Sequence, residues 1–284
     1  MIFEHEIPSG SRLYFGESAR IKRRIEARAA ELLEERGYRE MVTPLFSYHQ
    51  HESFDDPKEL IRLNDAANHE VSLRADSTAD VVRIATKRLG RSTESKKWFY
   101  IQPVYRFPTR EQYQIGAESL GGELPEAIAD ALALLESLEI RPLLQVANIA
   151  IPRILSERYG VDLEAIKSMH IQKILEAGHP WLEALVHLHR PQELEDLGAY
   201  PEEIARELER IREAIAGVEY EPLVITPLYY ARLRYYDSTL FRLYEGNTLY
   251  ATGGSYRIDG ARAAGFAILT DACIAKKMPK GTHE

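Results

Sequence analysis

The stretch from Tyr100 to Gly122, YIQPVYRFPTREQYQIGAESLGG, constrains more of this chain than any other. Two apolar-rich runs, Trp98 to Tyr105 and Glu111 to Ala117, flank a short connection containing Pro108 and Thr109. That pattern predicts a strand, a tight turn and a returning strand. Successive strand residues point to opposite faces, so Gln112, Gln114 and Gly116 share one face while Glu111, Tyr113 and Ile115 share the other. Arg106, Arg110, Gln112, Gln114 and Glu118 place amides and charges where a sheet face should pack. Such a face either meets water or lines a pocket.

The remaining sequence must supply the walls. With 284 residues, 45% of them hydrophobic, the chain can build a large single domain or one core with an insertion. A net charge of -8 does not favour a polyanionic partner, so no nucleic acid is expected. The single cysteine, Cys273, lies among apolar residues, which excludes a disulfide framework and a cysteine metal cluster and fits a reducing compartment. The opening residues MIFEHEIPSGSR have no apolar signal core, and no run approaches the ~20 apolar residues of a membrane-spanning helix. A cytoplasmic protein, not associated with a membrane, is expected.

Ile21, Ile25, Ala29, Leu32 and Leu33 recur at helical spacing between Glu17 and Arg36, and Gly37 is a natural stop. Tyr38 to Thr43 alternates as a strand and ends at Pro44. Val71 to Arg74 reads as a short strand, and Ser77 to Leu89 as a helix in which Ser77 and Asp80 resemble a capping box. After the hairpin come a helix from Glu123 to Leu138 and a strand from Leu143 to Ile149. From Pro152 to Val218 the pattern is helical, interrupted at Gly160, Gly178, Pro191 and Pro201, before strand chemistry returns at Pro222 with a hairpin turn at Gly246 and Asn247. The expected class is α+β: an antiparallel sheet flanked by helices, with residues 1–151 and 219–284 forming a core and 152–218 a helical insertion.

Familiar catalytic signatures are missing. His49 with His51, and His187 with His189, are not completed by carboxylates or cysteines, so no metal site is expected. No phosphate-binding glycine loop or dinucleotide fingerprint occurs, and Ser255 has no base assigned to it. What remains is a set of polar residues on or beside predicted strands: Arg74, Asp76, Arg106, Gln114, Glu118, Tyr235 and Tyr236. Carboxylates can hold an ammonium while amides and phenols fix orientation, which suits a small zwitterion.

The order of several segments resembles the catalytic core of histidyl-tRNA synthetases: the helix and strand ending at Pro44, LRADSTA from Leu73, the PVYRF and QYQIGAES hairpin, RLRYYDSTLF, YATGGSYRIDG and AAGFAI. The resemblance implies a class II synthetase-like fold, in which these segments stand for motif 1, a substrate loop, motif 2, two histidine-specific motifs and motif 3. It also implies that Asp76, Thr78, Arg106, Gln114, Glu118, Tyr235 and Tyr236 surround a histidine-like ligand. The departures from that family fall on the ATP grip. Pro108 stands where motif 2 has an acid, Ala272 where motif 3 has an arginine, and Ala231 where a histidine-specific motif has another. Removing a positive group aimed at developing charge costs ~100 to 1000-fold in rate. The chain ends shortly after motif 3, so no anticodon-binding domain is expected.

A kept amino-acid pocket without an ATP grip is similar to the regulatory-subunit family of ATP phosphoribosyltransferase, a synthetase-like paralogue. That resemblance implies a non-catalytic chain with no cofactor. It would pair with the short-form catalytic subunit, form a homodimer through the motif 1 region from Glu17 to Pro44, and convey feedback inhibition by histidine. Two other readings stay open: a divergent class II ligase activating a small amino acid with ATP, and an amino-acid sensor for a different protein.

Overall fold

The computed structural model describes residues 7–48, 50, 57–90, 92–230 and 236–279. Helix α1 (Gly16–Glu35) buries Ile21, Ile25, Ala29, Leu32 and Leu33, the stripe read from their spacing. It ends in a Schellman motif: Tyr38 N donates to Leu33 O at 2.9 Å and Gly37 N to Glu34 O at 2.9 Å. Gly37 has φ +82°, a conformation that favours glycine.

Only β1 (Arg39–Glu40) of the expected 38–43 strand joins the sheet. Met41 N still donates to Phe99 O at 2.8 Å, but Thr43 N turns to the side chain of Gln102, at 3.2 Å. The ladder stops there because a side-chain amide has replaced its next backbone acceptor. Strands β2 (Phe46–Ser47), β3 (Arg62–Asn64) and β4 (Glu70–Leu73) form a separate small sheet in the order β2-β4-β3. Helix α2 (Thr78–Arg83) follows and continues as π-type turns over Ile84–Leu89.

The capping-box expectation for Ser77 is corrected by the geometry. Asp76 Oδ1 accepts from Ala79 N at 3.0 Å, while Ser77 Oγ accepts from Gln102 Nε2 at 2.9 Å. Asp80 instead accepts from Ser47 Oγ at 3.0 Å and Gln50 Nε2 at 2.7 Å. The Ser77 hydroxyl is buried beside β5 (Lys97–Arg106), where the Gln102 amide competes for it.

The returning strand is β6 (Arg110–Leu120), followed by α3 (Leu124–Ser137) and β7 (Leu143–Asn148). Residues 152–218 carry most of α4 (Ala150–Tyr159), then α5 (Leu163–Lys167), α6 (Ile171–Leu175), α7 (Leu182–Val186) and α8 (Glu202–Ala214). The chain re-enters the sheet as β8 (Leu223–Ile225), β9 (Tyr236–Glu245), β10 (Thr248–Ile258) and β11 (Ala261–Leu269), and α9 (Thr270–Lys277) follows.

Among the described residues the large sheet has eight strands in the order β1-β5-β6-β11-β10-β9-β7-β8. Only the end pairs β1/β5 and β7/β8 are parallel. The α+β expectation therefore holds. One sheet face, with Phe99, Ile115, Phe241 and Phe266, packs against α1, α3 and the helices of 150–214 in one continuous core. The opposite face is covered only in part, by Ala79 and Val82 of α2 against Ala147, Leu240 and Tyr256. The rest of that face is where a ligand can lie.

Candidate functional site

The side-chain alternation of β6 turns Gln112, Gln114, Gly116 and Glu118 toward the partly covered face. Register then fixes their neighbours. Gly116 lies opposite Tyr100 on β5 and Ala267 on β11, and Ala267 opposite Thr252 on β10. Glu118 lies opposite Gly265, and Gly265 opposite Gly254. These small residues floor a trough. A Cβ at position 116 would lie 2.2 Å from the Tyr100 ring, and one at 265 would lie 1.9 Å from Glu118 Oε2. Glycine there lets the Tyr100 and Glu118 side chains lie flat across the neighbouring strand.

The trough holds a cavity of about 200 Å³. Asp76, Thr78, Arg106, Gln114 and Glu118, all expected site residues, line it together. Tyr100, Thr252 and Tyr256 also line it and were not singled out in the sequence. Strand parity on β5 and β10 was the available signal for them, but it needed a register that sequence does not supply. Tyr235 lies outside the described residues, and only the backbone of Tyr236, opposite Tyr256, is described. Ala231, His49 and His51 are likewise outside the description. Arg74 serves another purpose: Nε donates to Pro103 O and Nη1 to Thr43 O, both at 2.9 Å, which ties the segment ending at Pro44 to β5.

Glu118 is the deepest polar group, at 0% exposure. Thr78 Oγ1 donates to its Oε1 at 2.7 Å, and the Tyr256 hydroxyl makes a short hydrogen bond to Oε2. Burial pushes Glu118 up to about 8 against the pull of those two hydroxyls, and the charge of Asp76 adds to the rise. Arg106 Nε donates to Ala75 O at 3.2 Å, which holds the guanidinium group at the cavity wall near Asp76. Gln114 Nε2 donates to Gln112 Oε1 at 3.1 Å. The arrangement offers carboxyl, hydroxyl, amide and guanidinium groups within a space of amino-acid size.

A second cavity, about 590 Å³, begins where the first ends and shares Gln112 and Leu269 with it. Here the N-terminal segment lies against the hairpin turn and the start of α9. Thr109 donates to Ser9 O in a short bond, Glu111 N to Gly10 O at 3.0 Å, and Arg12 N to Glu111 Oε2 at 3.2 Å. Asp271 accepts a short bond from the Tyr14 hydroxyl and one from Tyr113 N at 3.3 Å, with Arg12 Nε 3.8 Å away. Ala272 offers no charge to this cavity. Among the described residues no group of three or more histidine, cysteine or acidic side chains could hold a metal. No helix among them is long and apolar enough to cross a membrane.

The chain is similar to known proteins over nearly its whole length. Residues 13–273 match the histidyl-tRNA synthetase family model. The chain is 44% identical over 278 residues to the ATP phosphoribosyltransferase regulatory subunit of Wolinella succinogenes, covering 97% of each. It is 41% identical over 276 residues to that of Helicobacter hepaticus, covering 96% of this chain and 98% of the relative. In fold it is similar to the crystal structure of an ATP phosphoribosyltransferase regulatory subunit/histidyl-tRNA synthetase from Bacillus halodurans, with a TM-score of 0.77 at 20% identity over 98% of this chain and 85% of that one. The chain belongs to the ATP phosphoribosyltransferase regulatory-subunit family, built on the class II fold of the histidyl-tRNA synthetase catalytic domain.

Proposed function

We propose that this chain is the non-catalytic regulatory subunit of a hetero-oligomeric, cytoplasmic ATP phosphoribosyltransferase, activating a short catalytic subunit and conveying feedback inhibition by histidine in histidine biosynthesis. The near full-length similarity to two proteins named as such carries this reading. The cavity over β6 supports a histidine effector, held by Asp76, Thr78, Arg106, Gln114 and Glu118 together with Tyr235 and Tyr236. Residues 1–151 and 219–284 form the synthetase-like core, and 152–218 its helical insertion.

Homodimerisation extends from motif 1 into the small sheet. The apolar stripe of α1 is already buried in the chain's own core, whereas Val42, Phe46, Tyr48, Leu63 and Phe107 stand exposed on and beside that sheet. Exposed apolar clusters of this kind mark contact surfaces.

Mixing the purified chain with a short ATP phosphoribosyltransferase and following co-migration by size exclusion tests the partnership. A stable complex is expected, and separate elution overturns the reading. The ligase alternative is tested by ATP–pyrophosphate exchange with histidine. No exchange is expected, because Ala272 contributes no positive charge at the second cavity and Asp271 is engaged by Tyr14.

A further inference from the structure

The sheet face that packs on the helices is not sealed along its whole length. Where β9 and β11 begin and β10 ends, between the start of α3 and the last turn of α8, it opens into a third cavity, of about 610 Å³. Strand alternation decides which side chains reach it. Thr239, Ser255, Arg257 and Arg262 alternate with Leu240, Tyr256, Ile258 and Ala263, which pack on the α2 side, so the four point toward the helices and line this cavity. Thr239 is 3% exposed, and neither its hydroxyl nor that of Ser255 makes a hydrogen bond among the described residues. A buried hydroxyl without a partner costs stability. On the cavity wall it is a donor available to whatever the cavity holds.

Positive groups converge on the same space. Arg257 and Arg262 are cross-strand partners, and Arg262 Nη2 donates to Glu123 Oε2 at 3.1 Å. Arg210 Nη1 donates to Glu207 Oε2 at 2.9 Å, and Asn148 Nδ2, 2.8 Å from the same oxygen, fixes that carboxylate to the end of β7. The Arg210 guanidinium is thereby held at the cavity. Helix α3 begins here too, with Leu124 and Pro125 on the wall and no side-chain hydrogen bond capping its first amides. Such a helix start favours an anion. Among the described residues the wall sets three arginines against two acids, Glu123 and Glu213. The Arg262–Glu123 pair is exposed, and exposed pairs are weak enough for the guanidinium to turn to a ligand.

We propose that this cavity binds a sugar phosphate. The arginines, the Thr239 and Ser255 hydroxyls and the α3 N-terminus hold the phosphoryl group, and the Glu213 carboxylate accepts from hydroxyls of the sugar. The volume exceeds what a lone phosphate fills, and a wall of hydroxyl, carboxylate and guanidinium groups suits a polyhydroxylated body rather than an apolar one. The site is independent of the cavity around Glu118, because the two lie on opposite faces of the sheet.

Calorimetric titration of the full chain with ribose 5-phosphate, glucose 6-phosphate, the two free sugars and inorganic phosphate, at matched ionic strength, tests the proposal. At least one sugar phosphate should saturate a single site per chain, inorganic phosphate should bind it more weakly, and the free sugars should give no binding heat. Thr239→Val keeps the side-chain shape and removes the partnerless hydroxyl. It should weaken the sugar phosphate by ~10-fold while the melting temperature of the unliganded chain stays the same or rises. Arg262→Gln, at an exposed position, should weaken it by a similar factor and serves as the second variant if the valine prevents folding. No saturable binding of either sugar phosphate, equal binding of a free sugar, or undiminished affinity in a variant that folds overturns the proposal. Inorganic phosphate binding as tightly as the sugar phosphates overturns the assignment of the sugar.

Discussion

Around Glu118 the open sheet face directs a carboxyl, two hydroxyls and an amide toward a cavity of about 200 Å³. Around Asp271, just past β11, Tyr14, Arg12 and the Tyr113 amide meet the carboxylate, as Thr78 and Tyr256 meet Glu118, but here two of the partners come from the N-terminal segment. The two cavities share Gln112 and Leu269, so they adjoin. The first is floored by glycines that let polar side chains lie flat, and the second is walled in part by an N-terminal segment bound to the hairpin turn. A face that bound an amino acid and a nucleotide together would need ligand-directed charge in both halves. In the second half Arg12 is the one cationic lining side chain among the described residues, and Ala272 adds none.

Substitutions that act on one half and spare the other sharpen this contrast. The largest effect is expected from Glu118→Ala, which removes the buried carboxyl that lines the first cavity. Histidine affinity should fall by ~10 to 100-fold by calorimetry, the range for losing one charge-assisted hydrogen bond. Gly265→Ala should follow, because its methyl would lie 1.9 Å from Glu118 Oε2 and 2.5 Å from Ala117 O. Overpacking of this kind costs ~1 to 3 kcal/mol, visible in chemical denaturation, and should weaken histidine binding by displacing the carboxyl.

The protonation of Glu118 gives a subtler prediction. Its folded pKa of about 8 lies above the usual glutamate value, so between the two the folded chain binds more protons than the unfolded one. Stability should decline as pH rises through that window. Glu118→Gln removes this penalty and should melt higher than wild type near pH 8, by ~2 to 4 °C for each kcal/mol regained, with the advantage vanishing toward pH 4. The smallest effect is expected in the other half. Tyr14→Phe deletes the hydroxyl that meets Asp271, should cost ~0.5 to 1.5 kcal/mol of stability, and should leave histidine affinity unchanged. A loss of histidine binding in that variant would break the distinction between the halves.

The sequence made much of this contrast legible, for reasons visible in particular residues. The α1 stripe and Gly37, the β5–β6 hairpin and the five pocket residues just before α2 and on α2, β5 and β6 followed from periodicities and from segments whose order is family-specific. Ser77 misled because a cap is a competition: Gln102, distant in sequence, took the hydroxyl, and Asp76 capped α2 instead. The 38–43 strand ended early for a similar reason, when the Gln102 side chain displaced a backbone acceptor at Thr43. Tyr256 and Thr252 reach the pocket through pairings with β11, and the Ser9–Tyr14 segment acquires its place through contacts with residues 109–111 and 271. These are long-range contacts with no local periodic signature.

The most direct test of the regulatory assignment is the rate of phosphoribosyl transfer by a short catalytic subunit, measured alone, with this chain, and with this chain under a histidine titration. The chain should raise the rate and histidine should lower it again, with Glu118→Ala displacing that inhibition to higher histidine concentration. A rate indifferent to the chain would contradict the assignment.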